Sequence, residues 1–176
     1  SEALKKQFID KNQAVDAIEF FKMFVEHCPH GKEEVHLFPM MEAKGFSRES
    51  GPTGVMMMEH EQGRSHITAM KEAVEPAADG DQEALQKFAQ NAHSYIHMLR
   101  EHIEKEDHCL FTMADQAFSE EDQKNLQAKF DQVEQEEIGE HTHEKYLTKA
   151  FELAERYQVP KEKVEAEAVK TCCHHG

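Results

Sequence analysis

Apolar residues recur every three to four positions along most of this chain, which is the period of an amphipathic α-helix. The first apolar stripe consists of Ala17, Phe20, Phe24, His27, His30, Glu34, Leu37 and Met41. The second stripe consists of Met56, His60, Gly63, Ile67, Met70 and Val74. The third stripe consists of Leu85, Phe88, Ala92, Tyr95, Leu99, His102, Glu106 and Leu110. The pattern predicts three long helices, each with histidine inserted where a core is expected.

Turn-forming residues separate these helices from one another and from later ones. The expected breaks are Gly45, Gly51-Pro52, Asp79-Gly80-Asp81 and Gly139, and the helix of the second stripe is expected to end around Pro76. Asp81 is suited to cap the third helix, and Ser119 is suited to cap a fourth that reaches about residue 138. Two more helices are expected over 142–158 and 161–170. The sequence therefore predicts an all-α fold.

Charge and cysteine content narrow the class of protein. The chain of 176 residues has 35 acidic and 20 basic side chains and a net charge of −15, which argues against a nucleic-acid or anionic-membrane partner. The sequence contains no apolar run of the roughly 20 residues that a membrane span needs. The four cysteines are too few and too unevenly placed for a secreted disulfide framework, so we expect a cytoplasmic protein.

Histidine and glutamate on the stripes carry the candidate chemistry. His30 and Glu34 precede a Leu-Phe pair, and His102 and Glu106 precede another. At a spacing of four, the two side chains of each pair lie about 5–6 Å apart on one helix face, close enough to bind one ion or to hold two neighbouring ions. His60 supplies a third ligand type on the helix between them. Such groups are costly to bury without compensation, so we expect a metal site.

The motifs around these residues resemble those of the hemerythrin-like (HHE cation-binding) proteins of bacteria and archaea. The resemblance is carried by Cys28-Pro29-His30-Gly31-Lys32-Glu33-Glu34, Leu37-Phe38-Pro39, Gly51-Pro52, Glu59-His60-Glu61-Gln62-Gly63-Arg64, the stretch 102–111 and His143-Glu144-Lys145-Tyr146. The resemblance implies an up-down four-helix bundle with additional C-terminal helices. The expected division is a metal-binding bundle over residues 1–138 and a helical extension with a Cys/His tail over residues 139–176.

The resemblance also implies the contents of the site. It implies a non-haem di-iron centre in which Glu34 and Glu106 bridge the two ions and His30, His60 and His102 are terminal ligands. Imidazole and carboxylate ligands suit iron, and they also suit zinc or manganese. The implied function is the binding of dioxygen, or of a related small molecule such as nitric oxide or peroxide, for sensing, delivery or detoxification. A binding protein is expected rather than an enzyme.

Two positions depart from the family pattern. The first helix of the family normally supplies a histidine well before the His30 motif, whereas no histidine precedes His27 here. Either a helix precedes Ser1, or one metal lacks a ligand, or His27 compensates. The second departure is Pro29, which stands where many relatives have a histidine next to another histidine. The four adjacent side chains Cys172-Cys173-His174-His175 cannot easily converge on one ion, and no specific site is expected there.

Two other functions remain open on the sequence alone. A ferritin-like di-iron carboxylate oxidase uses Glu-x-x-His pairs, and Glu33 with His36 and Glu140 with His143 match that spacing. An interaction module whose bundle is held together by a structural zinc ion is the non-enzymatic alternative. The oligomeric state is not determined by the sequence.

Overall fold

A computed structural model of the chain describes residues 9–23, 30–133, 135, 142–156 and 159–160, excluding the side chains of 142–147. Within these residues the chain is helical and contains no β-strand. The α-helices are α1 (Lys11–Phe21), α2 (Phe38–Ala43), α3 (Pro52–Ala78), α4 (Gln82–Lys105), α5 (Phe111–Ala117), α6 (Glu120–Val133) and α7 (Thr142–Arg156). Two π-helical segments, Glu33–Leu37 and Glu106–Leu110, directly precede α2 and α5. The all-α fold class predicted from the stripes is confirmed.

Side-chain caps fix the starts of several helices. The Asp10 carboxylate accepts a hydrogen bond from the Gln13 backbone N–H at 3.0 Å, and α1 therefore begins before the apolar stripe does. Asp81 accepts from the backbone N–H groups of Glu83 and Ala84, as its predicted capping role requires. Ser119 and Asp122 bond each other's backbone N–H groups in a reciprocal capping box.

Helices α3 and α4 form an antiparallel pair joined by a tight turn. Gly80 lies in this turn with a φ of +98°, a conformation that residues with a side chain rarely adopt. Glu72 pairs with Lys87 near the turn, while His60 faces His102 far from it. This pairing places the N-terminal third of α3 beside the C-terminal end of α4.

The remaining helices pack around this pair. Helix α1 packs on α3, and Lys11 pairs with Glu75 at the end near the turn. Helix α6 packs against the segment Glu33–Leu37, and α7 contacts α1 through an ion pair between Lys149 and Asp16. The division of the chain at residue 138 stays a prediction.

Two apolar clusters form the core of the described residues, and the inserted polar side chains lie between members of the two clusters along the chain. One cluster consists of Leu37, Phe38, Met41, Met56, Leu110, Ala114, Phe118, Leu126 and Phe130. The other consists of Ala14, Ile18, Ile67, Met70, Val74 and Tyr95. On α3, His60 lies between Met56 of the first cluster and Ile67 of the second, and it is fully buried. The apolar stripes thus surround a polar layer, which keeps water away from it.

Three sequence expectations differ from the structure or fall outside it. Helix α3 continues to Ala78 beyond Pro76, where it was expected to end. The third stripe is not one uninterrupted α-helix, because the chain widens into a π-helical turn at Glu106. The expected helix over 161–170 and the Cys/His tail lie outside the described residues. No helix in the described part of the chain is long and apolar enough to cross a membrane.

Candidate metal centre

Three histidines and one glutamate gather in the polar layer. His30 lies three residues before the start of the first π-helical segment, His60 lies on α3, His102 lies on α4, and Glu106 opens the second π-helical segment. One potential ligand atom from each of the four residues lies within 4.8 Å of those of the other three, and all four residues are buried. The rings of His30 and His60 stack with centroids 3.8 Å apart, and His102 meets His30 edge-on at 5.1 Å.

Glu34, the fifth residue predicted to bind metal, lies on the outer side of this group. Its Oε1 is 2.7 Å from Nδ1 of His60 and 2.8 Å from Nη1 of Arg64. Its side chain is 23% exposed. In this arrangement Glu34 contacts the ring nitrogen of His60 that faces away from His102, so its predicted ligand role stays a prediction.

Glu33 occupies the inner position instead. Its Oε2 lies 3.4 Å from Nε2 of His60, its side chain is only 6% exposed, and a side-chain hydrogen bond joins it to Glu106. Sequence reasoning that counted four residues from His30 missed this glutamate. Counting backwards from the Leu-Phe pairs finds it, because Glu33 precedes Leu37 by the same interval at which Glu106 precedes Leu110.

The π-helical segments explain why the two counts differ. Each begins at its inner glutamate, and the backbone N–H after the segment bonds back to the carbonyl of Glu33 or Glu106, five residues earlier. Such a turn contains one more residue than an α-helical turn and shifts the face on which the neighbouring residues lie. The glutamate that points inward is therefore found by counting back from the Leu-Phe pair that follows the π-helical turn, and not by counting forward from the histidine.

The outer ring nitrogens of two histidines are each held by a carboxylate. His60 Nδ1 contacts Glu34, and His102 Nδ1 lies 2.9 Å from Oε2 of Glu59. A carboxylate accepts hydrogen bonds, so each Nδ1 carries a proton and donates it outward. The Nε2 atoms of the two rings then face each other at a distance of 3.1 Å. Glu59, which also accepts a hydrogen bond from Lys105, was not predicted to take part in the site.

The pKa values of the buried groups reflect this crowding. Burial, with the nearby charges of His30 and His102, lowers the pKa of His60 to about 2. Burial also disfavours the charge on His102, but hydrogen bonds and charges from Glu106 and Glu59 outweigh it and raise the pKa of His102. Burial and the adjacent Glu106 raise the pKa of Glu33 well above its usual value. These shifts favour the protonated forms of Glu33 and His102 and the neutral form of His60.

These donors fit a metal cation. The lone pairs of two imidazole nitrogens that point at each other repel, and so do the charges of two adjacent carboxylates. Positive charge between these groups removes the repulsion. A cation would replace the protons that Glu33 and His102 hold. Neutral imidazoles and carboxylates are borderline to hard ligands, which suit iron, manganese or zinc. The described residues contain no other group of three or more histidine, cysteine or acidic side chains whose ligand atoms converge in this way.

The other residues considered from the sequence lie away from this centre. His66 bonds to Asn91, His93 and His97 are exposed, and Cys109 is an exposed free thiol. His36, predicted as half of a Glu-x-x-His pair, packs against the ring of Phe130. His27, Cys28, Pro29, Glu140 and residues 172–175 lie outside the described residues, as does the side chain of His143.

Fold and site together define an all-α bundle with a buried histidine and glutamate site for a cation. The chain belongs to the hemerythrin family: the model of the hemerythrin HHE cation binding domain matches residues 1–114. The matched part includes every residue of the centre, whereas α6 and α7 follow it. No curated protein and no solved structure gives a match to the chain.

Proposed function

We propose that this chain is a non-haem di-iron protein that binds dioxygen, or a related small molecule such as nitric oxide or peroxide, for sensing, delivery or detoxification. The observation that carries the proposal is the contact between Glu33 and Glu106 beside three buried imidazoles. Four donors satisfy a single four-coordinate ion, and the second of two touching carboxylates, each able to bridge, supports a pair of ions.

The proposed ligands are His30, His60, His102 and Glu106, together with one glutamate of the Glu33-Glu34 pair. Glu33 is the better placed of the two, because it lies at the inner nitrogen of His60 and touches Glu106. A ligand role for Glu34 would require its side chain to leave Arg64 and the outer nitrogen of His60. The two possibilities predict different effects of substitution.

The side chains around this site exclude water and fix the positions of the ligand atoms. His60 and His102 are 0% and 1% exposed, and apolar side chains lie on both sides of them along the helices. Two bound ferrous ions would supply the electrons that a dioxygen ligand takes up. The residues named above would hold the ions, and the apolar side chains around them would exclude bulk water and so limit competing hydrolysis and oxidation.

A structural zinc ion in an interaction module is the second candidate function. It is favoured by the convergence of His30, His60, His102 and Glu106, because four such donors match the coordination number of structural zinc. The ferritin-like oxidase is less well supported, because His36 of its first Glu-x-x-His pair packs on Phe130 rather than beside Glu33. The exposed free thiol of Cys109 accords with our proposal of a reducing, cytoplasmic location.

Metal analysis of the protein purified without oxygen tests the proposal. We expect two irons per chain and a new absorption band in the visible or near-ultraviolet range when air is admitted. One zinc per chain and an unchanged spectrum would contradict the di-iron proposal and favour the structural module.

Paired glutamine variants test the ligand assignment. Glu106→Gln is expected to lose the two-metal centre, because the neutral amide cannot replace a carboxylate between two cations. Glu104→Gln changes an exposed glutamate two residues earlier on α4 and should keep full metal content. Retention of both metals by the Glu106 variant would overturn the assignment.

A further inference from the structure

Two of the buried histidines are held in the same way by residues that do not face the centre. The outer nitrogen Nδ1 of His60 contacts Glu34, and that of His102 contacts Glu59. A basic side chain donates a hydrogen bond to each glutamate: Arg64 donates to Glu34, and Lys105 donates to Glu59. The arrangement thus repeats as base, carboxylate and imidazole.

Each glutamate belongs to a different helical element from the histidine that it contacts. Glu34 belongs to the π-helical segment Glu33–Leu37 and holds a ring on α3. Glu59 belongs to α3 and holds a ring on α4. The orientation of each imidazole is therefore fixed by a neighbouring helical element as well as by its own helix.

We propose that Glu34 and Glu59 are positioning residues for His60 and His102. Each glutamate, held by its basic neighbour, keeps a proton on Nδ1 of its histidine. The Nε2 lone pairs of both rings are then free to bind one cation. An imidazole has two nitrogens, and the hydrogen bond made by one decides whether the other can bind a cation. A proton on Nε2 of His60 would point into the 3.1 Å gap between the rings and block it. This inference rests on the proposed cation-binding function, but its first test needs no cation.

The contacts of Glu34 support a positioning role. Its Oε1 accepts hydrogen bonds from both His60 and Arg64, and the His60 nitrogen that it contacts is the one facing away from His102. Arg64 also contacts Glu61, which lies 3.1 Å away and is 78% exposed. The chain thus offers a matched control, because Glu61 contacts the same arginine from an exposed position.

Nitrogen-15 NMR of the ring nitrogens in the full, metal-free chain is the first test. The His60 ring, assigned by its loss in His60→Asn, is expected to carry its proton on Nδ1 in the wild type and in Glu61→Ala. Glu34→Ala is expected to shift the proton towards Nε2. Glu34→Gln keeps an oxygen acceptor, so His60 is expected to carry its proton on Nδ1 in this variant. The glutamine variant can also be measured if the alanine variant does not fold. An unchanged Nδ1–H signal in Glu34→Ala would overturn the positioning role.

Zinc affinity, measured by competition with a chelator, is the second test. Glu34→Ala and Glu59→Ala are expected to weaken binding at the buried centre by about 10–100-fold while leaving the number of bound ions unchanged. Glu34→Gln should lose less affinity than the alanine variant, and Glu61→Ala should match the wild type. Loss of a whole ion from Glu34→Gln would instead make Glu34 a ligand and overturn the inference. If the wild type binds neither zinc nor iron, the proposed function fails, whereas the NMR result still decides the role of Glu34.

Discussion

The Nε2 atoms of His60 and His102 face each other at 3.1 Å across the buried centre. The rings come from the antiparallel helices α3 and α4, and a carboxylate behind each ring accepts a hydrogen bond from its Nδ1–H. The short gap between the rings can therefore hold one proton or one cation. Burial lowers the pKa of His102, but hydrogen bonds and charges from Glu106 and Glu59 outweigh burial and raise it.

Cation binding should become tighter as the pH rises through the neutral range. The pKa values of His102 and Glu33 are both raised, so both groups hold protons that a cation must displace. Zinc affinity is expected to increase between about pH 6 and pH 8, with protons released on binding. Calorimetry in buffers of different ionisation enthalpy measures this release. Affinity that does not change with pH would contradict the protonation pattern.

Replacing Glu33 by glutamine should stabilise the metal-free protein. The pKa of Glu33 is raised in the folded state, so unfolding releases a proton above pH 4.5 and the free energy of unfolding falls as the pH rises through that value. Glu33→Gln removes this loss and should raise the free energy of unfolding at neutral pH by about 1 kcal/mol or more. Thermal denaturation of metal-stripped protein should show a midpoint higher by about 2–4 °C. The exposed Glu49→Gln is the control, and a clearly lower midpoint for Glu33→Gln would refute the explanation.

Adding metal should raise the thermal midpoint of the wild type, and a chelator should reverse the change. A ligand that binds only the folded state at about 100 times its dissociation constant adds about 2.7 kcal/mol. For a chain of this size that corresponds to a rise of about 5–10 °C. Glu106→Gln should show a much smaller rise, and Glu104→Gln the full one. An equal rise in both variants would place the bound metal elsewhere.

Asp122 should stabilise the start of α6 at neutral pH and lose this effect in acid. Hydrogen bonds from Lys44 and Ser119 hold its pKa well below the usual value of 3.8. Its contribution is therefore complete above pH 3.8 and is lost as the pH falls below that value. Compared with the wild type, Asp122→Asn should unfold at a lower denaturant concentration at pH 6, and the difference should shrink in stronger acid. A difference that is the same at every pH would exclude the charge as its cause.

Local sequence patterns determined the helices and the character of the site. The caps Asp81 and Ser119 and the apolar stripes depend on residues within one or two turns, and the structure confirms them. A histidine such as His60 on an otherwise apolar stripe signals a buried polar group, because the stripe faces the core wherever the helix packs. Family membership likewise follows from motifs along residues 1–114.

Only the tertiary structure decided which glutamate faces the centre. Glu33 and Glu34 are adjacent, so they lie about 100° apart around an α-helix, and a π-helical turn changes which of them points inward. The outer partners Glu59, Arg64 and Lys105 depend on where neighbouring helices meet, and their own helices give no sign of it. Periodicity is a property of one helix, whereas the inner and outer sides of this site are set by the register between helices.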